Sequence, residues 1–137
     1  MSINTIADVE FGVELPTFTP DTSLAEVSKF AHAVGWGGAR FEDHDAAREQ
    51  GLPGALVPGI MGMGFLTSTI HQWSEHAVIE HIDTVFRAPM IADEPCHIGA
   101  VVTDIDEDTG LVELDMTLKH AADETRVFGT ARVRLPT

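Results

Sequence analysis

The amino-acid sequence predicts an α+β domain in which an antiparallel β-sheet wraps around one long central helix. Three observations carry that expectation. Pro58-Gly59 opens the most apolar segment of the chain, Ile60-Met61-Gly62-Met63-Gly64-Phe65-Leu66, which continues to about Trp73 without a polar face, as a helix buried on most sides does. Towards the C-terminus, Val112, Leu114, Met116 and Leu118 alternate with Glu113, Asp115 and Thr117, the period of a strand with one face in the core. The chain also reads as strand, helix, irregular segment, helix and then several strands, with no repeat, linker or low-complexity tract. One domain over residues 1–137 is expected.

Each element has a local cause. Residues 9 to 15 predict a short strand closed by Pro16. Ser23 with Glu26 fits a capping box, and Leu24, Val27, Phe30, Ala31 and Val34 form a helical stripe that Gly35 ends. Residues 36–43 contain Gly37-Gly38 and suit neither helix nor strand, whereas Asp45 to Gln50 fits a short helix stopped at Gly51. Gly62 and Gly64 weaken the long helix by roughly 1 kcal/mol each relative to Ala, a cost that close approach of a neighbouring backbone would offset. Ile82, Thr84 and Phe86 alternate with His81, Asp83 and Val85, and residues 98–105 form an apolar run. Asp106 to Gly110 is a hairpin loop, and Val127, Gly129, Ala131, Val133 and Leu135 repeat the strand pattern.

Composition bounds the function. A chain of 137 residues, 44% hydrophobic and 22% charged, has the makeup of one globular domain. No stretch reaches the roughly 18 apolar residues of a membrane span. The first residues lack a basic region followed by an apolar core, so a cytoplasmic location is expected. Cys96 is the only cysteine, which excludes an internal disulfide or a CxxC motif and predicts a small buried strand residue. The net charge of -14 repels nucleic-acid phosphates, anionic lipid and an acidic carrier protein. Coenzyme A is also anionic and would need a local basic patch; Lys119, Arg126, Arg132 and Arg134 lie near the C-terminus and are compatible with one. His71 and Glu75, four residues apart, read as a surface or interface pair on the helix, and the other histidines are scattered.

Several short pieces at fixed spacing carry a resemblance. Gly35, Asp43, Ala47 and Gly51 are followed by a run of fixed length to Pro58-Gly59, then by Phe86-Arg87-Ala88-Pro89 and Ala92-Asp93. This scaffold, over roughly residues 10 to 135, resembles the MaoC-like (R)-specific enoyl-CoA hydratases and dehydratases, which have the hot-dog fold. In that family an Asp and a His five residues apart move the proton and activate water. Backbone N–H groups at the start of the central helix hold the thioester carbonyl, because a helix start offers free donors and a positive dipole end where enolate-like charge develops. This register places Trp36 and Phe41 at the dyad, Gly38-Ala39 at the family's Asn-Pro, and Pro58 at the histidine before the helix glycine.

Neither an indole nor a phenyl ring transfers a proton, so no catalytic residue is expected here. The main-chain carbonyl site at Pro58, Gly59, Ile60 and Met61 would survive, and Met61 and Met63 read as core or acyl-pocket lining. Glu42, Asp43 and His44 are the fallback acid/base candidates, weighed against solvated caps before a short helix. Their spacing matches no metal pattern, and no cofactor is implied beyond coenzyme A as part of a substrate. The degenerate string Phe41-Glu42-x-x-x-Ala46-Ala47 resembles the non-catalytic subunits of heteromeric members, which shape the pocket for a bulky acyl group in fatty-acid or steroid side-chain metabolism. The resemblance implies an acyl-CoA-type thioester and either a homodimer or a heterodimer or heterotetramer with a catalytic MaoC-like chain. An active homodimer using the fallback residues, and a non-enzymatic module that binds a thioester or another hydrophobic ligand, remain open alternatives.

Overall fold

The computed structural model describes residues 3–120 and 123–137. Four helices come first: α1 (Leu24–Ala33), α2 (Ala39–Glu42), α3 (His44–Glu49) and α4 (Gly59–Trp73). Four strands follow: β1 (Val78–Phe86), β2 (Cys96–Asp106), β3 (Leu111–His120) and β4 (Thr125–Arg134). The strands form one antiparallel sheet in the order β1-β4-β3-β2. The α+β architecture expected from the sequence is therefore present, with α4 against the sheet.

The alternation in the sequence becomes the two faces of this sheet. Val112, Leu114, Met116 and Leu118 of β3, Ile98, Ala100 and Val102 of β2, and Val127, Ala131 and Val133 of β4 are all buried. Leu66, Ile70 and Trp73 of α4 join them in one core. Each large apolar side chain removed from water contributes about 1.5–3 kcal/mol, and that burial holds the helix in the sheet. At Gly129 the β1 and β4 backbones approach so closely that a Cβ would collide with the Asp83 carbonyl.

Three expectations need correction. No strand forms over residues 9–15. The chain turns at Phe11-Gly12, where Gly12 has φ +78°, and meets the β2 edge only through isolated bridges at Glu14 and Phe18. This arm still satisfies that edge: Gly12 and Leu15 amides donate to the Val102 and Ala100 carbonyls at 2.9 Å each, and the Ile98 amide donates to Phe18 at 2.8 Å. Residues 36–43 are not wholly irregular, because α2 makes one turn. The Glu42 carboxylate accepts from the Gly38 amide at 3.1 Å and so caps the start of that turn. Finally, α4 is not buried on most sides, since Ile60 is 50% exposed and Gly64 and His71 also face outward. Gly62 makes room for the Met90 side chain rather than a backbone, and Gly64 faces open space. Glu75 lies beyond the helix end, and its carboxylate approaches His76 at 3.7 Å, not His71.

With the arm on β2, the unpartnered edge of the sheet is β1. Val78, Val85 and Phe86 on it are 60%, 49% and 50% exposed.

The environments of Gly64 and Gly129 have opposite consequences. Gly64→Ala is expected to stabilise the isolated chain by about 1 kcal/mol through helix propensity alone. Gly129→Ala is expected to destabilise it by at least about 1–3 kcal/mol, since backbone has to move. Urea denaturation midpoints of both variants check this pair; equal effects would contradict the packing described.

Candidate functional site

The site is assembled from the start of α4 upward. Pro58 stands at the N-cap with no side-chain acceptor for the helix, and its carbonyl accepts from the Met61 and Gly62 amides at 3.0 and 3.2 Å. The Gly59 and Ile60 amides have no acceptor among the described residues, and so the helix begins with two open donors at its positive end. Phe86, from the end of β1, lays its ring over Gly59, where a Cβ would sit 3.4 Å from the ring. Exposed Ile60 adds a second apolar surface beside the donors. Met61 is buried in the core, and Met63 is half-buried.

A strap over residues 51–58 delivers this helix start. It is held from both sides: the Leu56 amide donates to the Arg40 carbonyl at 2.7 Å, and the Val57 amide donates to the Met90 carbonyl at 2.9 Å. The first of these bonds ties α2, which carries Phe41, to the strap at Leu56. Trp36 and Phe41 come together, stacked with ring centroids 6.3 Å apart and planes 26° from parallel. Trp36 remains 46% exposed. Together with Arg40 and Gln50 they border an open notch of about 380 Å³.

The acidic and imidazole groups around the stack hold backbone. Asp43 accepts from the Ala46 amide at 3.0 Å and caps α3. Glu42 caps α2 as described, and its other oxygen contacts the His32 ring. His44 accepts the Ala55 amide on Nδ1 at 3.0 Å, and its Nε2 lies 2.9 Å from Asp93 Oδ2. Asp93 in turn accepts from the Leu24 amide at 2.8 Å, at the first residue of α1. It does so from a left-handed backbone, φ +68°, which Asp tolerates better than most residues. The hydrogen bond from His44, followed by that from the Leu24 amide, holds the Asp93 carboxyl below its ordinary range.

Two of these residues escaped the sequence reading. His32 lies ten positions before Glu42 on a different helix, and Asp93 lies 49 positions after His44, so neither pairing has a local signal. The C-terminal basic residues do not gather into an anion patch. Arg134 grips Glu80 through two bonds of 2.9 and 3.2 Å, Arg132 lies 3.6 Å from Glu113, and Arg126 donates to the Pro89 carbonyl at 2.6 Å. Cys96 is buried, as expected, and burial pushes its thiol up to about 11. No helix among the described residues is long and apolar enough to cross a membrane.

The fold is similar to that of several solved structures. An (R)-hydratase from A. caviae involved in PHA biosynthesis superposes with a TM-score of 0.87 at 19% identity, covering 94% of this chain and 98% of that one. This is the hot-dog fold of the MaoC-like hydratases. The hot-dog domain is also similar to a chain of the ChsH1-ChsH2 complex from Mycobacterium tuberculosis (TM-score 0.82, 19% identity, 92% and 98% covered). A third similar structure is a chain of the HadBC (3R-hydroxyacyl-ACP dehydratase) complex, also from Mycobacterium tuberculosis (TM-score 0.72, 14% identity, 92% and 98% covered). No family model and no curated protein matches the sequence.

Because the Asp93 carboxyl is held low, its contribution to stability is present above the ordinary carboxylate pKa and is lost as pH falls through the depressed value. Asp93→Asn keeps an acceptor and tolerates the left-handed backbone, but removes the charge. It is expected to lower stability by roughly 0.5–1 kcal/mol near pH 6 and by little near pH 2. Urea midpoints at the two pH values check this, and an equal loss at both would contradict it.

Proposed function

We propose that this hot-dog domain is the non-catalytic, pocket-shaping subunit of a heteromeric enoyl-thioester hydratase or dehydratase. Two observations carry the reading: the Trp36–Phe41 stack on the turn bonded to the strap, and the open helix start to which that strap leads. In the register that the sequence resemblance sets, Trp36 and Phe41 replace the family's proton-transfer pair, and these two rings pack on each other. The main-chain donors that would hold a thioester carbonyl need no particular side chain and remain at Gly59 and Ile60. Phe86, Ile60 and the stack would line the acyl side of the pocket. The partner that supplies Asp and His would pair along β1, where Val78, Val85 and Phe86 stand exposed on an open edge. Two of the similar structures are themselves complexes of named partner chains.

A second reading has its own observation. Glu42, one residue from Phe41, contacts His32, and a carboxylate–imidazole pair can move a proton. Against it, the same Glu42 caps α2 through Gly38, and the His32 side chain is 67% exposed to water, where a base is poorly placed to act on a desolvated thioester.

The test is co-purification with a MaoC-like chain carrying an intact Asp and His, followed by hydration assays with crotonyl-CoA and a bulkier enoyl-CoA. The complex is expected to hydrate the bulky substrate, with this chain alone at least about 10²-fold slower and Glu42→Gln without effect on the complex. Turnover by this chain alone that disappears in Glu42→Gln would establish the second reading instead. Thioester binding without turnover and without any partner would make the chain a ligand-binding module.

A further inference from the structure

His44 makes two hydrogen bonds that only one form of the ring can support together. Nδ1 accepts the Ala55 amide at 3.0 Å, so it carries no proton. A neutral imidazole then bears its proton on Nε2, which donates to Asp93 Oδ2 at 2.9 Å. The ring reaches Ala55 because residue 54 is glycine: a Cβ there would sit 3.0 Å from both His44 Nδ1 and Ile91 Cγ2. Ala55 is wholly buried, so its amide has no water to fall back on. Its carbonyl accepts from the Ala92 amide at 2.8 Å, which makes Ala55 the point where the strap is sewn to the segment carrying Asp93.

We infer that His44 is a proton-operated latch on the strap that positions the start of α4. Neutral, the ring fastens α3, the strap and Asp93 to one another. When Nδ1 takes a proton, an N–H faces the Ala55 N–H, two donors meet, and that bond is lost. The bond to Asp93 survives as an ion pair, so the ring stays tied to Asp93 and to α1, while the strap loses its bond to His44 of α3 and keeps those to Arg40, Met90 and Ala92. The net change is one proton taken up and one hydrogen bond broken.

The charges around the ring fit this sequence of events. Asp93 faces it from the segment between β1 and β2, with Oδ2 2.9 Å from Nε2. Asp21, ahead of α1, acts on Asp93 through space and is itself held by the Ser23 amide at 2.9 Å. The strap residues 51–58 carry no titratable side chain. On α3, Asp45 is paired with Arg48 at 3.2 Å and Asp43 is occupied by its cap. The latch stands independently of the proposed function; only its consequence for a ligand at Gly59 and Ile60 rests on that reading.

The test is heteronuclear magnetic resonance on the full chain, following the His44 ring nitrogens and the Ala55 amide from neutral to acid pH. At neutral pH, Nδ1 is expected to be unprotonated. On acidification the Ala55 amide should move with the same midpoint as the His44 ring, and its hydrogen-exchange protection should fall at least about tenfold relative to the Leu114 amide in the core. Asp93→Asn, which keeps an acceptor and a tolerated backbone, should move both midpoints together to lower pH. A neutral ring protonated on Nδ1, an Ala55 amide that ignores the ring, or an Asp93→Asn variant with unchanged midpoints would overturn the latch. None of these readouts depends on thioester binding or turnover, so failure of the functional reading leaves the result interpretable.

Discussion

Between Gly59 and Trp73 the chain has no Asp, Glu, Lys or Arg, and a helix of that makeup persists only where another surface covers it. Here the cover is the inner face of a four-stranded sheet, and the contacts of Leu66, Ile70 and Trp73 with that face fix where the helix begins as well as where it runs. The position of Gly59 and Ile60 follows from this packing. So does the position of Phe86, because the β1 strand that carries it is registered to β4 through Val127. The functional reading thus depends on one packed helix whose first turn has been left open.

The residues around that first turn divide into those that hold backbone and those that face outward. Glu42, Asp43, His44 and Asp93 all accept or donate bonds that tie short helices and the strap together. The outward group is apolar: Trp36, Ile60, Val85 and Phe86. A proton-transfer site needs the opposite division, with an acid or base aimed into the pocket and supported from behind. Phe86, on the open β1 edge, lies over Gly59 at the start of α4, so the edge open to a partner and the open donors are neighbours.

Much of this was legible in the sequence because its cause is local. The period of β3 and β4, the hairpin at Asp106–Gly110, the start of α4 at Pro58-Gly59 and the stop at Gly51 each follow from a few neighbouring residues. Residues 9–15 look like a strand in the sequence because apolar residues that cover a sheet edge have that pattern whether or not they form its ladder. The exposed side of α4 was misread because composition gives a helix's hydrophobicity but not which neighbour covers each face. His32 with Glu42, and His44 with Asp93, exist only after the helices have been brought together. The resemblance singles out Trp36 and Phe41 from the sequence, and the structure adds only that they stack.

On the proposed function, the start of α4 holds a thioester carbonyl with no proton-transfer group beside it. Amide spectra of the chain titrated with an enoyl-CoA probe that site. Shifts centred on Gly59, Ile60 and the Trp36 indole are expected, with the enoyl-CoA chemically unchanged over hours. Conversion to the 3-hydroxyacyl product by this chain alone, or binding that leaves the Gly59 and Ile60 amides unmoved, would contradict the proposal.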